Sequence, residues 1–199
     1  MSLDPHKWLY VPIDSGCLLF RDEATARAAF SFEGADYIKV HEQNDDEAFA
    51  FWNYGPELSR RFRALKIWLT LRYYGVRRIA QAISEDNALA TYLSERLEAA
   101  ADFELLASPE LSICCFRYVP DALRNKLERD GDVAAINAEL DQLNTSIMNL
   151  VQRGGRAYLS GATLRGKFAL RTCITNFRTT RADIDQTLEI IREAGRELE

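Results

Sequence analysis

The stretch Asp4-Pro5-His6-Lys7-Trp8 leads directly into residues 9–20, which are rich in leucine, valine, isoleucine and aromatic side chains. The pattern predicts two strands within residues 9–20, joined by a turn at Asp14-Ser15-Gly16. A lysine just before such a sheet is suited to a dry pocket, where desolvation favours the neutral amine over the charged one. A neutral amine can condense with an aldehyde, which would make Lys7 a catalytic residue. The alternative is a charged lysine on the solvated surface, where most lysines lie. The residues alone leave both interpretations of Lys7 open.

Length and charge bound the class of protein. The chain has 199 residues, of which 47% are hydrophobic, so one or two domains with buried cores are expected. Its formal net charge of -5 argues against a general nucleic-acid binder. No apolar run approaches membrane-spanning length, and the sequence shows no apolar leader. We therefore expect a soluble cytoplasmic protein that works without a membrane partner.

Four cysteines are scattered along the chain, at Cys17, Cys114, Cys115 and Cys173. They show neither CxxC spacing nor a histidine at a ligand-like separation, so the sequence predicts no metal site. We expect buried thiols in a reducing compartment rather than a disulfide framework.

Helical and strand periods alternate along the chain. The sequence predicts helices over residues 22–29, 56–74, 76–100, 133–154 and 181–198, and strands over 102–106, 112–119, 157–161 and 167–174. Pro56 is expected at a helix start, Asp132 as an N-cap, and Thr180 with Asp183 as a capping-box variant. Residues 31–55 show no sustained period, which is typical of a functional or disordered loop.

Three segments, in chain order, are similar to signatures of one enzyme family. The first is Asp4–Trp8 with Asp14 seven residues past the lysine; the others are Ser59-Arg60-Arg61-Phe62-Arg63-Ala64-Leu65-Lys66-Ile67-Trp68 and Leu170-Arg171-Thr172-Cys173-Ile174-Thr175-Asn176-Phe177-Arg178-Thr179-Thr180. They resemble the group II pyridoxal-phosphate decarboxylases, the aromatic-L-amino-acid decarboxylase family. The resemblance implies that Lys7 binds pyridoxal 5'-phosphate (PLP) covalently and that His6 lies near the cofactor phosphate. Asp4 stands where the family often has asparagine, and a carboxylate is repelled by a phosphate, so no phosphate contact is expected from it.

The resemblance also implies a catalytic role for Tyr37, which lies 30 residues after Lys7. In the family a tyrosine at nearly this separation is proposed to protonate the carbon that carbon dioxide leaves, once a mobile loop closes over the cofactor. The family's aldehyde-forming relatives replace this tyrosine, so Tyr37 favours an amine product. The alternative is an ordinary, half-buried loop tyrosine.

Further site residues follow from the other two signatures. Leu58 and Ser59 hold the positions that border the substrate pocket at the dimer interface in the family. Between Leu58 and Ser84 there are seven basic residues and no acidic one, which favours a subunit interface or salt bridges between helices. Arg171 is a candidate for bidentate capture of the substrate carboxylate, against an equal alternative of an interdomain ion pair.

The implied fold is α+β to α/β, the C-terminal portion of a fold-type I PLP enzyme. Residues 1–56 would end the large PLP-binding domain, 57–101 would form linking helices, and 102–199 would form a small domain with an antiparallel sheet flanked by helices. The family's upstream half carries other cofactor contacts, so we expect the chain to belong to a longer homodimeric enzyme and to be inactive by itself.

The implied reaction converts an L-amino acid to an amine and carbon dioxide. Trp8 weakly favours an aromatic substrate. Two alternatives stay open: a non-catalytic oligomerisation module, and a PLP lyase for another amino acid, such as glutamate or a sulfinate.

Overall fold

The computed structural model describes residues 1–30, 50–129 and 132–199. The chain divides into two compact units, Met1–Val76 and Arg77–Glu199. The division falls inside the segment 57–101, which we predicted to link two domains.

The first unit is built from short elements. They are β1 (Ser2–Leu3), α1 (Pro5–Trp8), β2 (Cys17–Leu18), α2 (Glu23–Phe30), a 3-10 helix (Phe51–Tyr54) and α3 (Arg63–Tyr74). β1 and β2 pair antiparallel, with Ser2 opposite Leu18 and Leu3 opposite Cys17. The helix predicted over residues 22–29 is confirmed as α2.

The strand pair predicted within residues 9–20 is wrong, because only Cys17–Leu18 is a strand and its partner precedes Lys7. Tyr10 adopts a left-handed backbone conformation with φ of 55°, which a strand does not allow. Pro12 lacks the N–H group that a ladder needs. The segment instead folds back on α1, where the Val11 N–H donates to the Pro5 carbonyl at 3.1 Å.

The start predicted for α3 is also wrong. The helix begins at Arg63 rather than Pro56. Glu57, expected as a first-turn acid, lies before the helix and accepts from the Arg63 guanidinium at 2.8 Å. The predicted end is confirmed: Gly75 follows Tyr74 with φ of 78°, and its N–H donates to the Leu71 carbonyl at 3.0 Å.

The second unit, with α4 running into it from the unit boundary, is a sheet packed on helices. The elements are α4 (Val76–Glu98), β3 (Phe103–Ala107), β4 (Ile113–Tyr118), α5 (Asp121–Glu128), α6 (Val133–Gly154), β5 (Ser160–Leu164), β6 (Lys167–Cys173) and α7 (Arg181–Leu198). The strands lie in the order β3-β4-β6-β5, and every pair is antiparallel. All predicted elements of this unit are present, but the strand predicted over 157–161 is shifted, because β5 spans Ser160–Leu164. α5 was missed because Pro120 and Asp121 were interpreted only as a break, whereas Pro120 is the N-cap of this helix.

The N-caps of α6 and α7 are those that the sequence predicts. The Asp132 carboxylate accepts from the N–H groups of Ala134 and Ala135 at the start of α6. Thr180 and Asp183 form a reciprocal capping box at the start of α7. One buried core joins the sheet to α4, α6 and α7, and its fully buried members include Leu93, Phe116, Ile147, Leu170 and Ile191.

Cysteine burial is only partly as predicted. Cys114 and Cys115 are buried, Cys17 is half-buried, and Cys173 is exposed, so the prediction of a buried thiol is wrong for Cys173. All four lie in described residues, and none forms a disulfide. In the described part of the chain, no helix is both long and apolar enough to cross a membrane.

Candidate functional site

Lys7 lies in the single turn of α1, which Pro5 opens at a position where its missing N–H costs nothing. The Lys7 ammonium donates to the Asp4 carboxylate at 2.5 Å, and 64% of its side chain is exposed. This hydrogen bond, together with the charge of Lys7, holds the pKa of the Asp4 carboxyl below its usual value. The described residues therefore do not provide the dry pocket expected around this amine.

His6 is held by the backbone of Ser15. Its Nδ1 lies 2.6 Å from the Ser15 carbonyl oxygen and 3.3 Å from the Ser15 nitrogen. His6 and Lys7 are thus presented together by α1, and a loop that returns to α1 at Ser15 contacts the histidine.

Two buried polar atoms lie in this segment. The Ser15 side chain is 1% exposed, and its Oγ has no hydrogen-bond partner among residues 1–30, 50–129 and 132–199. Trp8 Nε1 is likewise buried without a partner within the described residues. Each of these atoms is a donor that no described residue uses.

Basic residues of α3 anchor the loop that carries Ser15. Arg63 Nε donates to Asp14 Oδ2 at 2.8 Å. Lys66 Nζ donates to the Ile13 carbonyl at 3.0 Å, to the Asp14 carbonyl at 3.3 Å and to Asp14 Oδ1 at 3.4 Å. The hydrogen bond from Arg63 is the main cause that lowers the pKa of Asp14 to about 2.

The sequence does not predict these contacts. Asp14 belongs to the first family signature, and the basic residues after Leu58 favour a subunit interface or salt bridges between helices, but neither pattern pairs Asp14 with Arg63 or Lys66. The number of basic residues could have indicated them, because seven basic residues without a nearby acid need carboxylates from elsewhere in the chain. Asp14 supplies one of them.

Of the other predicted site residues, Tyr37 lies outside the described residues. Leu58 and Ser59 belong to the first unit, as Lys7 does, and both are exposed ahead of α3. Next to them, the Arg60 guanidinium lies 5.0 Å from the centroid of the Phe51 ring.

Arg171 belongs to the second unit, in the interior strand β6. It lies opposite Cys115 on β4 and Ser160 on β5, and its Nη1 donates to Ser160 Oγ at 3.4 Å. Burial raises the pKa of the Cys115 thiol, and the nearby charge of Arg171 opposes that shift.

The sequence profile of the pyridoxal-dependent decarboxylase conserved domain matches residues 1–119, which include the Lys7 segment, α3 and the first two strands of the large sheet. The chain belongs to the pyridoxal-dependent decarboxylase family. The predicted family is therefore confirmed, and so is PLP as the cofactor class of that family.

Relatives within the family extend the match to the whole chain. An aromatic-L-amino-acid decarboxylase of Bacillus atrophaeus is 34% identical over 198 residues, which cover 100% of this chain and 39% of the relative. Tryptophan decarboxylase 1 of Oryza sativa subsp. japonica is 28% identical over 199 residues and is covered to 37%. The chain thus spans less than two fifths of the length of these relatives.

The fold agrees with that of solved family members. The crystal structure of Oryza sativa TDC with PLP and tryptamine superposes with a TM-score of 0.82 at 26% identity, covering 99% of this chain and 38% of that one. The predicted fold class, a mixed helix and antiparallel-sheet portion of a fold-type I PLP enzyme, is confirmed.

The residues present fit PLP by their chemistry. Lys7 offers an accessible primary amine, the group that an aldehyde requires. His6 is the next residue along α1, and its Nδ1 contacts the Ser15 carbonyl. Ser15 Oγ, in the loop that contacts His6, has no hydrogen-bond partner among the described residues. α1 is a single turn, so these side chains, rather than a helix terminus, would hold the group.

Proposed function

We propose that this chain carries the cofactor lysine of a PLP-dependent amino-acid decarboxylase that converts an L-amino acid to its amine and carbon dioxide. The observation that carries the proposal is the position of Lys7. It is an accessible amine next to His6, inside the segment that matches the family profile. The names of the relatives from Bacillus atrophaeus and Oryza sativa support an aromatic substrate.

When bound, PLP supplies an electron sink for the bond that breaks on loss of carbon dioxide. Lys7 would hold the cofactor through its Nζ atom. In the structure that atom donates to the Asp4 carboxylate, which orients the amine. His6 lies beside Lys7 as the polar neighbour of the cofactor, with its ring fixed by the Ser15 backbone.

The remaining site residues complete the proposal. Tyr37 returns a proton to the carbon that has lost carbon dioxide, which commits the reaction to the amine. Leu58 and Ser59 contact the substrate side chain. Arg171 binds the substrate carboxylate through two parallel N–H donors of its guanidinium group.

We also propose that the protein works as a homodimer. α3 exposes a series of large apolar side chains whose burial would favour association, namely Leu65, Trp68, Leu69, Tyr73 and Tyr74. The four unpaired cysteines support a reducing compartment such as the cytoplasm.

Borohydride trapping tests the proposal on the native protein. A lysine bound to PLP absorbs at the edge of the visible range, and reduction makes the bond permanent. Peptide mass spectrometry should then find the pyridoxyl group on Lys7, and Lys7→Ala should abolish both the label and amine release. Lys126→Ala is the matched control, because Lys126 is a similarly exposed lysine paired with one carboxylate.

Label on a lysine other than Lys7 would contradict the assignment. A protein that takes up no PLP would favour the non-catalytic oligomerisation module instead. A substrate panel with amine release as the readout separates an aromatic decarboxylase from one that acts on glutamate or a sulfinate.

A further inference from the structure

We propose that Asp14 is a positioning residue: held by Arg63 and Lys66 of α3, it fixes the loop that orients the His6 ring beside Lys7. The proposal rests on the proposed function for its catalytic meaning, but its structural claim concerns only residues of the first unit. Nothing in the family match assigns a contact to Asp14.

The tautomer of His6 follows from its contacts with Ser15. A separation of 2.6 Å between Nδ1 and the Ser15 carbonyl oxygen requires a hydrogen between them, since two lone pairs at that distance repel. Nδ1 therefore carries the proton and donates, so the Ser15 N–H at 3.3 Å cannot also donate to it. In the neutral ring Nε2 is left as the acceptor, and it has no hydrogen bond within the described residues.

The position of the Ser15 carbonyl decides this arrangement, and α3 determines where that carbonyl lies. Lys66 Nζ contacts the carbonyl oxygens of Ile13 and Asp14, the two residues just before Ser15. Arg63 Nε donates to Asp14 Oδ2 at 2.8 Å, and Arg61 Nη1 lies 3.9 Å from Asp14 Oδ1. The loop is thus fixed both by its backbone and by the one side chain that carries a charge.

Among the residues that join α3 to this loop, Asp14 is the one that no other side chain can replace. Arg63 also holds Glu57 at 2.8 Å, so without Asp14 its guanidinium keeps a carboxylate partner outside the loop. Lys66 would retain only the two carbonyl contacts. The loop would lose the hydrogen bonds in which both partners are charged, the shorter being the 2.8 Å bond from Arg63 to Asp14 Oδ2. The Ser15 carbonyl would then be held less firmly against Nδ1.

Glu57 provides a matched control. Glu57→Gln removes a carboxylate from the same guanidinium but leaves the Asp14 contacts in place. Asp14 and Glu57 are exposed to a similar extent, and in either variant Arg63 loses one of its two carboxylate partners and keeps the other. A difference between the variants therefore reports on the loop rather than on Arg63.

The first test needs no cofactor. The native protein is labelled with 15N-histidine and freed of PLP, and the ring-nitrogen shifts of His6 are recorded at about pH 8.5, where an ordinary imidazole is neutral. His6→Gln assigns the signals. We expect the Nδ1–H tautomer in wild type and in Glu57→Gln, and a mixture of tautomers in Asp14→Ala. An unchanged tautomer in Asp14→Ala would overturn the proposal.

The second test uses PLP binding. We expect Asp14→Ala to raise the dissociation constant for PLP about tenfold and to change the absorbance of the bound cofactor, with Glu57→Gln within about twofold of wild type. If both variants change the PLP dissociation constant equally, the positioning role of Asp14 is overturned and only a structural role is left. If the wild type binds no PLP, the proposed function fails, while the tautomer measurement still decides whether Asp14 orients His6.

Discussion

The ring of Tyr118 lies against the backbone of Gly195, so close that a Cβ atom on Gly195 would come within 2.5 Å of the ring carbon Cε1. Tyr118 ends β4 and Gly195 lies in α7, so this contact sets how closely the helix approaches the sheet. The Tyr118 hydroxyl donates to Glu199 Oε1 at 2.9 Å, which limits movement of the ring. Only glycine fits at this position of α7 without displacing either the Tyr118 ring or the helix backbone.

We expect Gly195→Ala to lower the free energy of unfolding. Overpacking a tight contact costs about 1–3 kcal/mol, which exceeds the gain of about 1 kcal/mol from replacing glycine inside a helix. Chemical denaturation of the native protein measures the change. Gly154→Ala is the control, since a Cβ there meets nothing within 4 Å, and that variant should be as stable as wild type or more so. Stabilisation by Gly195→Ala would contradict the close packing.

A second prediction concerns the ionic cluster on the sheet. Arg117 is 1% exposed, and Glu104 Oε2 accepts from its guanidinium at 2.6 Å, while Lys167 donates to the other Glu104 oxygen at 2.8 Å. Glu104→Ala leaves a buried guanidinium without its carboxylate, so we expect a loss of about 3 kcal/mol or more in unfolding free energy. Denaturant titration followed by circular dichroism provides the measurement.

The matched control for that cluster is an exposed ion pair. Lys126 and Glu139 lie 3.2 Å apart, with 55% and 54% of their side chains exposed. Glu139→Ala should change stability by less than about 1 kcal/mol. A loss of similar size in Glu104→Ala and Glu139→Ala would show that burial of Arg117 does not determine the cost.

Periodicity and capping residues predicted the helices and strands of the second unit other than α5. Asp132 and Thr180 mark helix starts by local chemistry, which the sequence shows directly. The buried Arg117 was not predicted, because its burial depends on Glu104 across the β3–β4 pair and on Asn137 at the start of α6. Such contacts join residues that are distant in sequence and leave no local pattern.

The first unit was harder to predict for the same reason. Residues 9–16 have a β-prone composition, yet long-range contacts from Arg63 and Lys66 hold this segment as a loop. Glu57 looks like a first-turn helix residue but pairs with Arg63 instead. For the candidate site, the resemblance predicts Lys7 and His6, whereas the contacts that orient them required the structure.

The pH dependence of stability should reveal the Asp14 contacts. The pKa of Asp14 falls from its ordinary 3.8 to about 2 in the folded chain, mainly through the hydrogen bond from Arg63. A lowered folded pKa contributes stability that is fully present above the unfolded pKa and is lost as the pH falls through the folded pKa. Wild type should therefore be more stable than Asp14→Asn above about pH 4, and the difference should shrink towards pH 2.

Urea titrations at several pH values between about 2 and 6 measure that difference. Since the same variant is compared with wild type at each pH, other titrating groups cancel to first order. A difference that is constant over this range would contradict the lowered pKa of Asp14.

The product of the reaction tests Tyr37. If its phenol returns the proton to the substrate carbon, Tyr37→Phe should release less amine and divert product towards the aldehyde. Chromatography of the reaction mixture quantifies both products. Tyr158→Phe, which alters an exposed tyrosine of the second unit, is the control. Unchanged amine release by Tyr37→Phe would remove the proton-donor role.

Arg171 can be tested by comparing ligands with and without a carboxylate. A charge-assisted hydrogen bond contributes about 1.5–3 kcal/mol, so Arg171→Gln should weaken binding of an unreactive amino-acid analogue about tenfold or more. The product amine has no carboxylate, and its affinity should stay within about twofold. Titration of the PLP absorbance measures both dissociation constants, with Arg153→Gln on the exposed end of α6 as the control. If both ligands lose affinity equally, Arg171 acts through its contacts with Ser160 and Cys115 in the sheet, because only a direct contact with the carboxylate distinguishes the two ligands.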